Sequence, residues 1–294
     1  MPELPEVECV RRSLAMLEGA IVLSTTVWRS DYLSASSQRE HRRPMLGATI
    51  DRVDRHGKEL AILERGPRRL RIRLGMTGRL LVSTHADEPP PERMPHEHVR
   101  WTVRTTDHGT RVLRSVDPRR FGDLVVFGSR TAFQRDRDRL GPDALSIRTP
   151  DLRRRLAGTR RAIKIALLDQ RVLAGVGNIY ADEALFAAGI RPDTPACRLG
   201  PDTTAALAHN LRRLLKRAIA HGGTTIRDFK NGKGEPGRAQ RHLAVYGRKD
   251  QPCRRCGTRL VGSSIGQRST VWCPRCQQVA HTSNTLTREI EPDE

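Results

Sequence analysis

Four cysteines near the end of the chain constrain its folding more than any other feature. Cys253 and Cys256 form one Cys-x2-Cys pair and Cys273 and Cys276 a second, with sixteen residues between the pairs. That spacing suits a four-thiolate tetrahedral zinc site on a β-hairpin. With four sulfur ligands the metal keeps no position for water, so its expected role is to fold a module too small for a core of its own. One structural Zn2+ and no organic cofactor are expected. Cys9 and Cys197 stand alone and read as small buried or neutral residues.

The rest of the 294-residue chain is long enough for two or three modules. Its 53 Lys and Arg against 33 Asp and Glu leave a formal charge of +20, a field that recruits polyanions, so nucleic acid is the expected partner. The competing reading is a solvated basic surface with no ligand. The first residues hold neither a basic leader nor an apolar run of signal-peptide length, so a cytoplasmic chain without a membrane span is expected.

Along the chain, residues 5–17 read as an amphipathic helix with Pro5 in its first turn, Glu6 and Glu8 at its positive end and Gly19 beyond it. Short β-branched or alternating runs follow at 21–27, 60–63, 70–74, 99–103, 111–113 and 124–127, an antiparallel β domain. Residues 130–150 are polar and broken by Gly141-Pro142 and Pro150, the composition of a connection. Helical patterns return at 152–168, 179–188 and 203–221, the last with Leu207, Leu211, Leu214 and Leu215 on one face, which reads as packing. The expected fold class is multidomain α+β. Its divisions are a β domain with an N-terminal helix over 2–130, a linker over 131–150, a helical module over 151–230, a loop and connection over 231–249, a zinc finger over 250–280 and a disordered tail over 281–294.

Chemistry concentrates at the start. Removal of Met1 leaves Pro2 as a secondary amine with a reference pKa of about 8, partly neutral near neutral pH and able to attack a sugar C1′ as a lysine attacks a carbonyl. Glu3 and Glu6 lie within reach as proton carriers. Taken alone, the same residues could simply begin and charge-cap the first helix. In Gly175-Val176-Gly177-Asn178 the glycines permit close backbone approach and the following helix start could receive a phosphate, with Arg161 and Lys164 nearby; a plain helix-helix turn fits equally.

Several motifs in order, Pro2-Glu3-Leu4-Pro5-Glu6-Val7-Glu8, Leu74-Gly75-Met76-Thr77-Gly78, Asp117-Pro118-Arg119-Arg120-Phe121-Gly122, Leu167-Leu168-Asp169-Gln170, Gly177-Asn178-Ile179-Tyr180-Ala181-Asp182-Glu183, Gly222-Gly223-Thr224-Thr225 and Val245-Tyr246-Gly247-Arg248, together with the zinc module, resemble formamidopyrimidine-DNA glycosylase. The resemblance spans residues 2–277. It implies an N-terminal β-sandwich, a helix-two-turn-helix module and a β-hairpin zinc finger around a DNA cleft. It also implies a bifunctional glycosylase and abasic-site lyase of base excision repair acting on duplex DNA that carries oxidised purines or abasic sites, as a monomer.

By the same resemblance Pro2 is the nucleophile, Glu3 the general acid and Glu6 its partner in proton transfer, and Lys58 meets a phosphate beside the lesion. Met76, Arg119 and Phe121 would form a wedge that fills the gap left by an extruded nucleotide. Arg73, His98, Lys164, Asn178, Tyr246 and Arg268 complete the expected DNA contacts.

The chain departs from the family at Arg73, where members often carry histidine. It also lacks aromatic residues after the turn in Gly232-Lys233-Gly234-Glu235-Pro236-Gly237-Arg238-Ala239, which bears on lesion capping and 8-oxoguanine preference. Two rivals stay open: an endonuclease VIII-type enzyme for oxidised pyrimidines, and a catalytically silent damaged-DNA-binding protein.

Overall fold

The computed structural model describes residues 2–35, 38–83 and 92–278; the expected tail over 281–294 lies outside the described residues. The first helix, α1 (Leu4–Ser13), has almost no exposed face. Its Val7, Val10 and Leu14 belong to the core of the β domain, while Leu4 and Cys9 belong to the core of the helical domain. One short helix is thus gripped from both sides, and the residues that precede it are carried to the seam between the domains.

The β domain is a sandwich of two sheets around that first core. Its strands are β1 (Ile21–Val27), β2 (Leu33–Ala35), then, after helix α2 (Gln38–Arg42), β3 (Ile50–His56), β4 (Glu59–Glu64), β5 (Arg69–Arg73), β6 (Arg79–Val82), β7 (Glu97–Arg104), β8 (Thr110–Val116) and β9 (Asp123–Phe127). One sheet has the order β1-β7-β8-β6 and the other β2-β9-β5-β4-β3. The purely antiparallel domain expected from the sequence is corrected by β2, which pairs in parallel with β9, Leu33 opposite Leu124. The strands not expected from the sequence, β2, β3 and β6, all lie at sheet edges, where a strand has one ladder partner and needs fewer buried side chains.

The expected linker is partly helix: α3 (Arg130–Arg137) starts on the Ser129 hydroxyl, which accepts the Ala132 N–H. It packs Phe133 against Ala61 and Leu63 and is pinned by Arg71 to Asp136 and by Arg137 to Asp54. Its neighbours therefore place it with the sandwich. The helical domain comprises α4 (Thr149–Ala157), α5 (Ile163–Leu168), α6 (Asn178–Ala187) and α7 (Pro201–Ala220). The single helical pattern expected over 152–168 is divided because the backbone between α4 and α5 turns to residues 194–197: Ile163 N–H donates to Thr194 O, Ala196 N–H to Arg161 O and Cys197 N–H to Thr159 O. Among the described residues no helix is long and apolar enough to cross a membrane.

The third module is the hairpin of β10 (Val261–Ile265) and β11 (Arg268–Trp272). Its two turn residues, Gly266 and Gln267, both have positive φ (54° and 60°), the backbone of a two-residue hairpin turn that follows strand twist. A small core of Phe186, Val245, Leu260 and Val271 sits beside Cys253 and Cys273.

Candidate active site and nucleic-acid interface

The two glycines ahead of α6 are there for the N-terminus. A Cβ on Gly175 would lie 2.5 Å from Leu4 Cδ1, and one on Gly177 would lie 2.4 Å from Glu3 Cδ. Leu4 N–H donates to Gly175 O at 3.1 Å. The Glu3 carboxylate then accepts the N–H groups of Gly177 (2.8 Å), Ile179 (2.9 Å) and Tyr180 (3.3 Å). The start of α6, read from the sequence either as a phosphate site or as a plain turn, holds a carboxylate of the protein itself, satisfying donors that a helix leaves unpaired. Glu3 is buried, immediately beside buried Pro2.

One turn further along α1, Glu6 is 1% exposed. Its Oε2 accepts Glu3 N–H at 2.8 Å, and its Oε1 accepts Thr224 N–H at 2.7 Å and the Tyr180 hydroxyl at 2.8 Å. Burial, reinforced by the charge of Glu3, outweighs these donors and lifts the Glu6 carboxyl to about 7, so it exchanges a proton near neutral pH.

Lys58 reaches the same place from the turn between β3 and β4. Gly57, with φ of 57°, presses that turn against the loop before α6; a Cβ there would lie 2.8 Å from Ala174 Cβ. Asp143 accepts Gly57 N–H at 2.7 Å and pairs with Arg55, which donates in turn to Glu8 on α1 at 3.0 Å. Burial lowers the Lys58 ammonium below its ordinary value; the charges of Glu3 and Glu6 oppose that, and Arg268 adds to it. Lys58 makes no hydrogen bond among the described residues and is free for an external anion.

Met76 and Phe121 are 44% and 55% exposed, and the Arg119 guanidinium lies 4.5 Å from the Phe121 ring centroid. Buried Asp117 fixes their loops, accepting the Thr77 hydroxyl at 2.6 Å, Gly122 N–H at 2.8 Å and the Tyr32 hydroxyl at 3.2 Å. Gly75 (φ 57°) cannot be replaced without collision, since a Cβ would lie 2.3 Å from Phe121 C. Three apolar or cationic tips thus stand out on a stiff base.

On the facing side, Asn178 Nδ2 donates to Ser269 O on the hairpin at 3.0 Å, and Arg268 is exposed at the adjoining strand end. Glu183 accepts the N–H groups of Ala244, Val245 and Tyr246 at 2.8 to 2.9 Å, which sets half-buried Tyr246 beside a cleft of about 520 Å³ that also touches Asp182, Ile226 and Ser269. The four cysteine Sγ atoms lie within 4.8 Å of one another. With zinc-sulfur bonds of about 2.3 Å, ligands of a tetrahedral ion stand about 3.8 Å apart, so the quartet fits that metal. Amides of Arg255 and Cys276 donate to Cys253 and Cys273 Sγ at 3.4 Å.

Comparison with known proteins decides what this arrangement belongs to. Residues 1–124 match the family model of the formamidopyrimidine-DNA glycosylase N-terminal domain, 140–230 that of its H2TH domain and 250–279 that of the zinc finger found in FPG and IleRS. The formamidopyrimidine-DNA glycosylase of Laribacter hongkongensis is 40% identical over 281 residues, 95% of this chain and 100% of the relative; that of Bacillus subtilis is 39% identical over 282 residues, 94% and 99%. The chain belongs to the formamidopyrimidine-DNA glycosylase family. Solved structures agree: a complex of Lactococcus lactis Fpg with abasic-site-containing DNA aligns with a TM-score of 0.81 at 30% identity over 94% of this chain and 99% of that one. A variant of that protein with Fapy-dG-containing DNA gives 0.81 and 30% over 94% and 100%.

Within this family frame two expected contacts are corrected. Lys164 is fully buried: its Nζ lies 2.7 Å from Asp182 Oδ1 and donates to Ser269 O at 2.7 Å and Thr270 Oγ1 at 2.8 Å. One ion pair and two hydrogen bonds engage it inside the protein, so it ties α5 and α6 to the zinc hairpin and cannot reach a phosphate from there. His98 is buried too, against Tyr32 with ring centroids 4.5 Å apart and its Nε2 2.8 Å from Asp117 O; it supports the loop of Arg119 and Phe121. Arg73 is half exposed and paired with Glu59. Tyr180, Asp182, Glu183 and Thr224 had no assigned role from sequence, although all four lie in quoted motifs. What they hold is far away in the chain, and spacing alone does not show it.

Proposed function

We propose that this glycosylase excises oxidised purines, formamidopyrimidines and 8-oxoguanine, through the amine of Pro2 and then cleaves the strand. The observation that carries the reading is the seat of Glu3: three main-chain N–H groups immobilise a carboxylate one residue from Pro2, at the seam where both domains meet. A group held that tightly serves as a positioned acid or base, and positioning is worth orders of magnitude in rate.

In this reading duplex DNA lies along the seam, and Met76, Arg119 and Phe121 enter the gap left by the extruded nucleotide. Asn178, Arg268, Arg73 and Lys58 meet phosphates, and Tyr246 lines the same cleft. The neutral Pro2 nitrogen attacks C1′ of the damaged nucleoside, and the bond from C1′ to the base breaks with its electron pair leaving on the base, which takes up a proton. The proton released from the Pro2 nitrogen passes to the Glu3 carboxylate, which delivers it to the ring oxygen as the sugar opens, leaving an iminium. The iminium acidifies the C2′ hydrogen; a base removes it and the 3′ phosphate leaves, and a second elimination releases the 5′ phosphate. Glu6, titrating near neutrality, accepts and returns protons beside Glu3. One zinc ion held by Cys253, Cys256, Cys273 and Cys276 would stiffen the hairpin that carries Arg268 and take no part in the reaction. No organic cofactor is needed, and the chain acts as a cytoplasmic monomer on DNA.

The test is excision by untagged protein on duplexes carrying 8-oxoguanine or a formamidopyrimidine opposite cytosine, with an oxidised pyrimidine in parallel. Excision mainly of purines is expected; excision mainly of the pyrimidine moves the enzyme to the endonuclease VIII-type specificity, and binding without excision of any base makes it a silent binder.

A further inference from the structure

Glu6 has partners on three different parts of the fold. Its own helix contributes only the Glu3 amide to Oε2; both donors to Oε1 come from the other domain, Thr224 N–H after α7 and the Tyr180 hydroxyl on α6. Tyr180 is 2% exposed and its hydroxyl lies 2.9 Å from Thr224 Oγ1. Since the Tyr180 proton goes to Glu6, the Thr224 hydroxyl is left as donor to the Tyr180 oxygen. The two hydroxyls form a directed chain ending on the carboxylate.

We propose that Tyr180, backed by Thr224, is a positioning residue of the reaction: its hydroxyl fixes the plane of the Glu6 carboxyl, reserves Oε2 for the exchangeable proton and sets the pH at which that proton is held. The reasoning is one of occupancy. A carboxyl oxygen offers two in-plane lone pairs, and on Oε1 both are taken, while Oε2 keeps one free beside the Glu3 amide. Protonation elsewhere would break a buried hydrogen bond. A donor to the ionised carboxylate also favours that form, so removing it makes the proton harder to lose.

The other titratable or charged groups around this point are Glu3 and the Cys9 thiol on or next to α1, Lys58 from the β3 to β4 turn, and, across a cavity of about 20 Å³ lined by Tyr180 and Thr224, the side chains of Glu183, Arg217, His221 and His242. The carboxylate of Glu183 is already engaged by three amides of residues 244–246. Neither it nor the basic side chains across the cavity hydrogen-bond the Glu6 carboxylate, whereas the Tyr180 hydroxyl does. Neither Tyr180 nor Thr224 touches the reacting atoms in this assignment; each acts through Glu6.

The inference rests on the proposed role of Glu6 beside Pro2, and the experiment keeps the two apart. Full-length zinc-loaded protein with 13C at the glutamate carboxyls is titrated by NMR, the Glu6 signal being assigned by its loss in Glu6→Gln, and single-turnover excision is followed over the same pH range. The parent midpoint is expected near 7. Tyr180→Phe should raise it by about one pH unit and move the corresponding limb of the rate profile with it. Thr224→Val should move both the same way by less, and Thr224→Ser should keep the parent midpoint. An unmoved midpoint in both Tyr180→Phe and Thr224→Val, or a rate that falls equally at every pH, overturns the assignment. Borohydride trapping of the parent separates the two claims: a parent that does not trap removes the Pro2 reading, while the carboxyl titration still reports on Tyr180 and Glu6.

Discussion

Adding one methyl group at Gly177 asks how tightly the site must hold Glu3. The backbone there has φ of −125° and ψ of −162°, a conformation alanine adopts without strain, so Gly177→Ala perturbs only what the new Cβ meets. It would stand 2.4 Å from Glu3 Cδ and 2.5 Å from Oε1. Ordinary carbon contacts lie near 3.5 Å, so the carboxyl must retreat by about 1 Å, or the start of α6 must move away by as much. Overpacking of this kind costs about 1 to 3 kcal/mol of stability, which leaves a protein of ordinary stability folded. A displacement of about 1 Å at a catalytic group costs on the order of 100-fold in rate. Single-turnover excision of 8-oxoguanine at saturating enzyme measures the chemical step, and a thermal melt checks the fold. Gly200→Ala is the control, since a Cβ there meets nothing within 4 Å, and its rate should stay within about twofold of the parent. A Gly177→Ala protein with the parent rate would refute the claim that the seat of Glu3 controls catalysis.

Three further outcomes follow from the same geometry. Lys164→Met leaves Asp182 buried without its cation, and a loss of about 3 to 5 kcal/mol in urea unfolding is expected; undiminished stability with a DNA-binding salt slope reduced by one would restore Lys164 as a phosphate contact. Chelation of zinc, or Cys256→Ser, should loosen the hairpin bearing Arg268 and weaken DNA binding by tenfold or more in a gel-shift titration, and binding unchanged after complete metal loss would contradict a supporting role. For Glu8, burial would raise the carboxyl, but hydrogen bonds from Arg11, Arg12 and Arg55 prevail and hold it at about 2, below its ordinary 4.5. A depressed folded-state value means stability that is complete above about pH 4.5 and is lost as pH falls toward 2, worth about 3 kcal/mol. Unfolding of the parent and Glu8→Gln should therefore differ by about that amount at neutral pH and converge in acid; a gap independent of pH would show that the charge of Glu8 contributes little.

The parts of this protein that were legible in its sequence are those whose chemistry is local. The four cysteines announce their module by spacing, and the segment from Pro2 to Glu6 places an amine and two carboxylates within about one helical turn. Met76 and Phe121 are named only through the motifs that resemble the family, Leu74 to Gly78 and Asp117 to Gly122. What spacing does not carry is partnership across the chain. Glu3 is held by residues 174 to 177 positions away, so a helix start that looks ready for phosphate is already filled, and Lys164 looks like a surface cation until Asp182 and Thr270 close around it. The edge strands β2 and β3 escape notice for a different reason. Each needs few buried side chains, and Ile50 and Val53 are the only fully buried residues of β3. Helix α3 was hidden by its charged residues, of which Asp136 and Arg137 pair with Arg71 and Asp54 in earlier strands.

The most direct test of the central claim is the identity of the atom that binds the sugar. Untagged protein is reduced with borohydride during reaction with an 8-oxoguanine duplex, digested, and its adduct located by mass spectrometry. The expected result is a single modified peptide that begins at Pro2 and carries the reduced sugar on its terminal nitrogen, absent from a Pro2→Ala protein. An adduct on Lys58 or any other lysine, or excision that proceeds with no adduct at all, would contradict it.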